Sequence, residues 1–469
     1  MKLNAKDLST LKHIEFHGKD RLKKTKIVGV STDSRTVTAG DLFIALKGEH
    51  FDAHTFINDV FSRGAVAAIV NASANVAVTP DRTLLVVEDT TRTLGELAHV
   101  YRLRFDLPVV AIGGSNGKTT TKEMVTQVLN STYMTLGTEG NLNNHIGVPQ
   151  TLFRLRKKHD VAVVEIGTNH PGEINYLCQM IEPTHGLITN IGREHLEFFK
   201  TLDGVATEEG GLFERLRTRK KAIAFVNADD ERVVGLSKGM KKRITYGFTA
   251  RRVDVRGKRI GMNDEGCVRF QFSGGRQKKP VAVQLNIPGE HNALNALAAA
   301  AVGLTFQVPA KRIAKTLEAV HPTSKRMEVL NFGGVVIFND TYNANPDSMV
   351  AALQTLANAR VSGNRIAVLA DMRELGDAAP EEHRRVGEHV KKLGINYLLT
   401  FGDLSRQIHE AAGIPNAFHY DQKNMLAEYL AELIAPGDAV LIKGSRGMKM
   451  EDVVFFLEER LQSAVVPFG

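Results

Sequence analysis

The segment VVAIGGSNGKTTTKEMVTQVLN, from Val109 to Asn130, constrains this chain more than any other. A β-branched apolar run enters a glycine turn, and a lysine with three threonines opens a helical pattern, which reads as a parallel strand feeding a crossover helix. Glycines at Gly113, Gly114 and Gly117 let the backbone N–H groups turn inward, and Ser115 and Asn116 complete the turn. The helix N-terminus adds positive partial charge, which together with inward N–H groups makes an anion cradle. Lys118 can reach the β/γ-phosphates of a nucleotide, Thr119 offers a hydroxyl to Mg2+, and Thr120 follows. The strict pattern G-x-x-x-x-G-K-T fails at one place, because Ile112 stands five before Gly117. The alternative is a glycine turn with an incidental lysine, but the strand-to-helix setting favours ATP without naming a reaction.

The same alternation runs through the chain. LFIAL, AVAAIV and TLLVVE are expected strands of a first unit, closed by the helix TRTLGELAHVYRLRF. Phe105-Asp106-Leu107-Pro108 is the expected boundary, since proline disfavours helix in the residue before it. The second unit continues with VAVVEIG and GLITNIG, turns β-rich and basic between Lys241 and Pro288, and closes near His321-Pro322-Thr323-Ser324 after the helix NALNALAAAAVGLTF. VVIFND, RIAVLAD, YLLTFG and AVLIKG repeat the pattern in a third unit that ends in EDVVFFLEERLQ. The expectation is an α/β chain of three domains, 1–106, 107–321 and 322–469: a first α/β unit, a central P-loop-type parallel sheet with an appended small antiparallel sheet, and a Rossmann-like third unit. The 469 residues fit that division at roughly 150 per domain.

Composition removes several classes. With 43% hydrophobic and 24% charged residues the chain is of ordinary globular type, and two cysteines build neither a disulfide framework nor a structural zinc site. Its longest apolar stretches fall short of the ~20 residues that span a bilayer, and the start carries no apolar export region, so a cytoplasmic protein without membrane insertion is expected. Sixty Lys plus Arg against 52 Asp plus Glu give +8, which favours anionic partners. The surplus is spread, its densest runs read as solvated helix ends, and there is no tryptophan for base stacking, so nucleic acid is not an expected partner.

IGGSNGKTTTKE resembles the shortened phosphate loop of the Mur ligases, ATP-dependent enzymes that add amino acids to the peptidoglycan precursor. GNLNNHIGVPQTL, VVEIGTNHPGEI and TNIGREHLE continue the likeness, and GEHNALNALAAAAVG is similar to the adenine-side helix of that group. The resemblance implies ATP contacts from His291, Asn292 and Asn295 and substrate contacts from Asn143 and Asn144. Glu165 ends the strand VAVVEIG, where α/β nucleotide sites place metal ligands. By resemblance it shares a Mg2+ with Thr119, and His195 supports a second ion; a solvated strand-end acid and a structural histidine are the plain alternatives. Most Mur ligases carry a lysine fourteen residues after that histidine, and CO2 converts it to a carbamate. Here the fourteenth residue after His195 is Glu209. Its own carboxylate can supply the charge near the second metal without carbamylation; otherwise Glu209 is an exposed helical acid and Glu208, or nothing, takes the place.

The outer units extend the resemblance from about Gly29 to Leu461. VSTDSRTVTAGDLFIALKGEHFDAHTFI resembles the family's uridine-nucleotide unit, which implies substrate contacts from Thr32, Asp33, Ser34 and Arg35, with Ala45, Leu46 and Gly48 shaping the pocket. DTYNANPDSM, LADMRELG and KGSRGMKMEDVV resemble the members that add D-alanyl-D-alanine to UDP-N-acetylmuramoyl-tripeptide, and Arg326 stands at the junction. In residue terms Asp340 can accept from a ribose, Tyr342 offers an aromatic face, and Asn343 and Asn345 offer amides to a peptide-like substrate. A turn capped by Asp347 or Ser348 is the structural alternative. Lys443 and Arg446 flank Gly444 and suit a carboxylate or phosphate; solvated turn charges are the other reading. The implied reaction activates a carboxylate through an acyl phosphate and forms an amide, catalysed around Lys118, Glu165, His195 and Glu209, with ATP, two Mg2+ ions and a monomeric enzyme. The rivals are the Mur ligase adding the third residue, folylpolyglutamate synthetases, and a P-loop ATPase of another class.

Overall fold

The computed structural model describes residues 3–18, 20–21 and 26–463; the chain ends of the first and third expected units, 1–2 and 464–469, lie outside the described residues. Three sheets follow one another along the chain. The first holds β1 (Glu15–His17), β2 (Gly29–Ser31), β3 (Asp41–Ile44), β4 (Ala67–Asn71) and β5 (Leu84–Val87) in the order β1-β5-β4-β3-β2, parallel except for β1. The helix Thr90–Arg102 leads out of it. Arg102 is buried there and donates from its guanidinium to the carbonyls of Ile181 (3.0 Å), Phe105 (2.6 Å) and Leu107 (3.3 Å), so the link into the next unit is clasped rather than loose.

The central sheet comprises β6 (Val109–Gly113), β7 (Thr135–Gly137), β8 (Val161–Glu165), β9 (His185–Ile188), β10 (Ile223–Asn227), β11 (Arg243–Gly247), β12 (Val255–Met262), β13 (Cys267–Gly274) and β14 (Gln277–Pro288). Its order is β14-β13-β12-β11-β10-β9-β6-β8-β7. Every residue of β6 is buried, with Val109 and Ala111 in the core on one face and Val110 and Ile112 in the core on the other, the two-residue period of a strand covered on both sides. The antiparallel meander β12–β14 is hydrogen-bonded to the parallel strands through β11 and β12, so the appended sheet and the central sheet are one nine-stranded sheet.

The third sheet has β15 (Glu328–Phe332), β16 (Val335–Asp340), β17 (Arg365–Ala370), β18 (Tyr397–Phe401), β19 (Ala417–Tyr420) and β20 (Ala439–Lys443), ordered β15-β16-β20-β17-β18-β19 and parallel apart from β15. In both larger sheets a late strand returns beside an earlier one, β9 beside β6 and β20 between β16 and β17. Such reversals open a crevice at the carboxyl ends of the strands, where ligands of α/β sheets bind. No helix among the described residues is long and apolar enough to cross a membrane.

Candidate active site

The chain leaves β6 at Gly113 and enters the helix Lys118–Asn130 through the glycine turn. Gly117 has a left-handed φ of +78°, and a Cβ there would lie 2.6 Å from Asn295 Oδ1, so glycine alone fits between the turn and the helix Glu290–Thr305. The turn is tied to the loop after β9. Ser115 N donates to Asn190 O (2.9 Å), Asn116 N to Asn190 Oδ1 (3.1 Å) and Gly192 N to Ser115 Oγ (2.8 Å). These bonds hold the loop in its cradle shape without a ligand.

Acids converge on this cradle. Glu165, 1% exposed at the end of β8, accepts from Thr119 Oγ1 (3.1 Å) and Asn143 Nδ2 (2.8 Å) through Oε1, while its buried Oε2 has no protein partner. Lys118 Nζ bonds back to Gly114 O, donates to Ser115 O (3.1 Å) and lies 3.1 Å from Glu194 Oε2. Burial alone would lower the Lys118 pKa, but Glu194, Glu209 and Glu165 outweigh it and hold the ammonium above its usual range. Glu209 is fully buried behind the loop, where Oε2 accepts from Gly114 N (2.7 Å) and Oε1 has no partner. Burial pushes its carboxyl up to about 8, against the opposing pull of Lys118.

The third unit closes over the cradle. Asp340 and Lys443 end the neighbouring strands β16 and β20, and their side chains meet at 2.6 Å. The Arg326 guanidinium lies 3.8 Å from the Tyr342 ring centroid, so that aromatic face is already covered. Asn345 caps the helix Pro346–Asn358, accepting from Ser348 N (2.8 Å), and its Nδ2 crosses the cleft to Asn116 Oδ1 (2.9 Å). Arg193 is clamped by Asp347 (3.1 Å) and Glu382 (3.0 Å), and His195, at φ +47°, places Nδ1 2.9 Å from Glu374 Oε2. Between the two units lies a cavity of about 820 Å³.

Family descriptions match this chain in the order of its three sheets: "Mur ligase family, catalytic domain" over residues 26–102, "Mur ligase middle domain" over 112–303 and "Mur ligase, glutamate ligase domain" over 325–446. The chain belongs to the Mur ligase family. It is 38% identical over 435 residues to the UDP-N-acetylmuramoyl-tripeptide--D-alanyl-D-alanine ligase of Escherichia coli K12, covering 92% of this chain and 93% of that one. The ligase of the same name from Bacillus subtilis 168 is 34% identical over 438 residues, with coverage of 92% and 93%. Among solved structures, MurF from Acinetobacter baumannii superposes with a TM-score of 0.89 at 33% identity, covering 98% of this chain and 99% of that chain. MurF from Thermotoga maritima in complex with ADP gives 0.82 at 27% identity, with coverage of 94% and 99%.

In this Mur ligase the cavity brings together most of the residues expected from sequence: Ser115 through Thr120, Asn143, Asn144, Glu165 and His195 from the central unit, His291, Asn292 and Asn295 from its long helix, and Arg326, Asp340, Tyr342, Asn343, Asn345, Lys443 and Arg446 from the third unit. Gly113, Gly114 and Glu209 stand behind the loop and do not line it. Glu209 is not an exposed acid, and Glu208 caps the helix Glu173–Ile181, accepting from Gly172 N (2.7 Å) and Ile174 N (2.8 Å); a site in which nothing takes the carbamate's place is compatible with a Glu209 that does not line the cavity. The expected cap at Asp347 or Ser348 is supplied by Asn345, two residues before Asp347, which frees Asp347 for Arg193.

The first-unit residues form a separate patch. Thr32 Oγ1 accepts from Gln150 Nε2 (3.2 Å), Arg35 pairs with Asp33 (2.7 Å) and holds that carboxyl well below the usual range, and Ser34 sits between them. Ala45 is buried just after β3, next to Leu46, and Gly48 N donates to Phe51 O (2.7 Å). None of these lines the cavity. Sequence reasoning missed Glu194, whose signal was its place directly before His195, and Arg373 and Glu374 in LADMRELG. Among the described residues no three His, Cys, Asp or Glu side chains are grouped to hold a metal by themselves. The Thr119 hydroxyl and the partnerless Glu165 oxygen are nevertheless hard donors of the kind Mg2+ takes, with phosphates and waters completing the shell.

Proposed function

We propose that this Mur ligase uses ATP to join D-alanyl-D-alanine to UDP-N-acetylmuramoyl-tripeptide, releasing ADP and phosphate in peptidoglycan precursor synthesis. One observation carries the reading: a single cavity sets the phosphate loop against the third unit, in a chain whose likeness to ligases named for that reaction runs through all three units.

A carboxylate is a poor electrophile because amine attack would have to expel oxide. The tripeptide carboxylate oxygen therefore attacks the γ-phosphorus, and the bond to ADP breaks. Lys118 and the inward N–H groups of the loop neutralise the phosphoryl oxygens, the electrostatic role that dominates phosphoryl transfer. The dipeptide amine then attacks the acyl carbon, the bond to phosphate breaks, and the amine gives up its proton. Thr119 and Glu165 would hold one Mg2+, and His195, its Nδ1 turned to Glu374, would support a second; Glu209, behind the loop, would supply negative charge to that ion only once ionised, which a nearby cation favours. Bound Mg2+ supplies positive charge to the triphosphate. His291, Asn292 and Asn295 bound the adenosine side, and Asp340 with Arg326 and Tyr342 the ribose and phosphates. Asn143, Asn144, Asn343, Asn345, Lys443 and Arg446 face the two substrates. Thr32 to Arg35 with Ala45, Leu46 and Gly48 take the uridine nucleotide, which an extended tripeptide at ~3.5 Å per residue keeps well away from the reacting carboxylate. The domains act as 1–106, 107–321 and 322–469, in a cytoplasmic monomer whose cavity is completed within one chain.

The test is ADP release from ATP with UDP-N-acetylmuramoyl-tripeptide, with and without D-alanyl-D-alanine. Release that needs both supports the reading. Release with diaminopimelate or lysine and the corresponding dipeptide precursor instead, or release stimulated by nucleic acid, overturns it. Glu209 acting as a ready-made carboxylate is tested separately: rescue of Glu209→Ala by bicarbonate at mildly acidic pH would contradict it.

A further inference from the structure

Where the third unit meets the central unit three acid–base pairs cancel, and among the described residues Arg326, Arg373 and Arg446 are left as third-unit cations without a carboxylate, Arg326 lying over the Tyr342 ring. Asp340 meets Lys443 at 2.6 Å, Asp347 meets Arg193 at 3.1 Å, and Glu374 meets His195 at 2.9 Å. Arg373 and Arg446 have no carboxylate partner among the described residues, and both line the cavity. They stand at the tips of the neighbouring parallel strands β17 and β20, whose end loops are cross-tied: Arg373 N donates to Ser445 Oγ (2.8 Å), and Ser445 N to Asp371 O (3.0 Å). A Cβ on Gly447 would lie 2.6 Å from Arg373 Nη1, so the bare glycine lets the Arg373 guanidinium lie against the turn that carries Arg446. The Arg446 guanidinium sits 5.0 Å from the Tyr342 ring centroid. Two adjacent forks held by their backbones, with no internal acid, are suited to a planar anion that arrives from outside.

The opposite wall has the reverse character. Glu165, Glu173 and Glu194 line it, and the nucleotide phosphates belong beside them at the loop. A dipeptide whose amine must reach the acyl carbon at the loop has its carboxylate at the other end, at most ~7 Å away. Only the third-unit wall offers that carboxylate uncompensated positive charge. Resting on the functional reading above, we propose that Arg373 and Arg446 bind the C-terminal carboxylate of the incoming dipeptide and so select an amine donor that ends in a free acid.

Arg373→Gln and Arg446→Gln are compared with the unaltered enzyme in the ADP-release assay, using D-alanyl-D-alanine and its C-terminal amide. The unaltered enzyme should prefer the acid. Each variant should raise the KM for the acid by about tenfold to a hundredfold, the range for losing a hydrogen bond to a charged group, and should lose the preference over the amide. KM for ATP and for the UDP-linked substrate should stay unchanged, which also reports that the variants are folded. Gly447→Ala, which pushes the Arg373 guanidinium away, should raise the dipeptide KM in the same selective manner. A rise in the KM for ATP instead would assign the pair to the nucleotide, and an unchanged acid-to-amide ratio would overturn the proposal. An unaltered enzyme that ignores D-alanyl-D-alanine but uses another amine would fail the functional reading itself.

Discussion

Replacing Glu209 by glutamine removes one buried ionisable group and keeps an oxygen able to accept from Gly114 N. In the nucleotide-free enzyme burial raises this carboxyl from 4.5 to about 8, so the folded chain binds its proton more tightly than the unfolded chain does. The stability this contributes is fully present below about pH 4.5 and is lost as pH rises through about 8, because the unfolded glutamate ionises freely while the folded one resists. At 1.36 kcal/mol per unit the loss between pH 6 and pH 8 is roughly 2 kcal/mol. The assay is urea unfolding at those two pH values, followed by far-UV circular dichroism because the chain has no tryptophan. The wild-type enzyme should lose stability over this interval by about that amount more than Glu209→Gln, a difference in which titrations away from Lys118 and Glu194 cancel. Parallel losses in the two proteins would refute the account of Glu209 as a carboxyl kept from ionising by its place behind the loop.

Lys118→Met should lower kcat by about a hundredfold to a thousandfold, the cost of one preorganised donor to transition-state charge, and should weaken ADP binding measured by calorimetry. Asn345→Ala removes the cap of the helix Pro346–Asn358 together with the contact to Asn116, and should cost roughly 1 kcal/mol in thermal or urea unfolding while raising the KM for ATP. His185, half-buried against Phe225 and Phe306 with its pKa lowered to about 4 by desolvation, should make the enzyme lose stability as pH falls from about 6.5 toward 4; His185→Gln should flatten that loss in denaturation at pH 7 and pH 5. A crosslink across the Ser324 junction that holds the third unit open should abolish ligation, and undiminished turnover would contradict closure as a condition of catalysis.

What the sequence made legible was local. The phosphate loop could be read because glycine, lysine and threonine chemistry and the strand-to-helix setting all lie within one short segment. Glu165 could be read because a strand end is a position. For Glu194 the neighbouring His195 was the one local signal; its partner Lys118 lies 76 residues earlier, and only the fold brings them together. The same holds for Asn345 and Asn116, 229 residues apart, where an amide expected to face substrate also holds two units in contact. The meander after Lys241 was recognised as antiparallel, but its fusion to the central sheet depends on the pairing of β11 with β12, which periodicity does not encode.

The Arg102 clasp gives the enzyme a measuring rod. With three carbonyls gripped by one guanidinium, the first and central units are tied together, so the span from the patch proposed for the uridine nucleotide to the phosphate loop is set by the protein. A precursor one residue short would leave its carboxylate ~3.5 Å from where chemistry occurs, and no motion of the third unit could make up the gap.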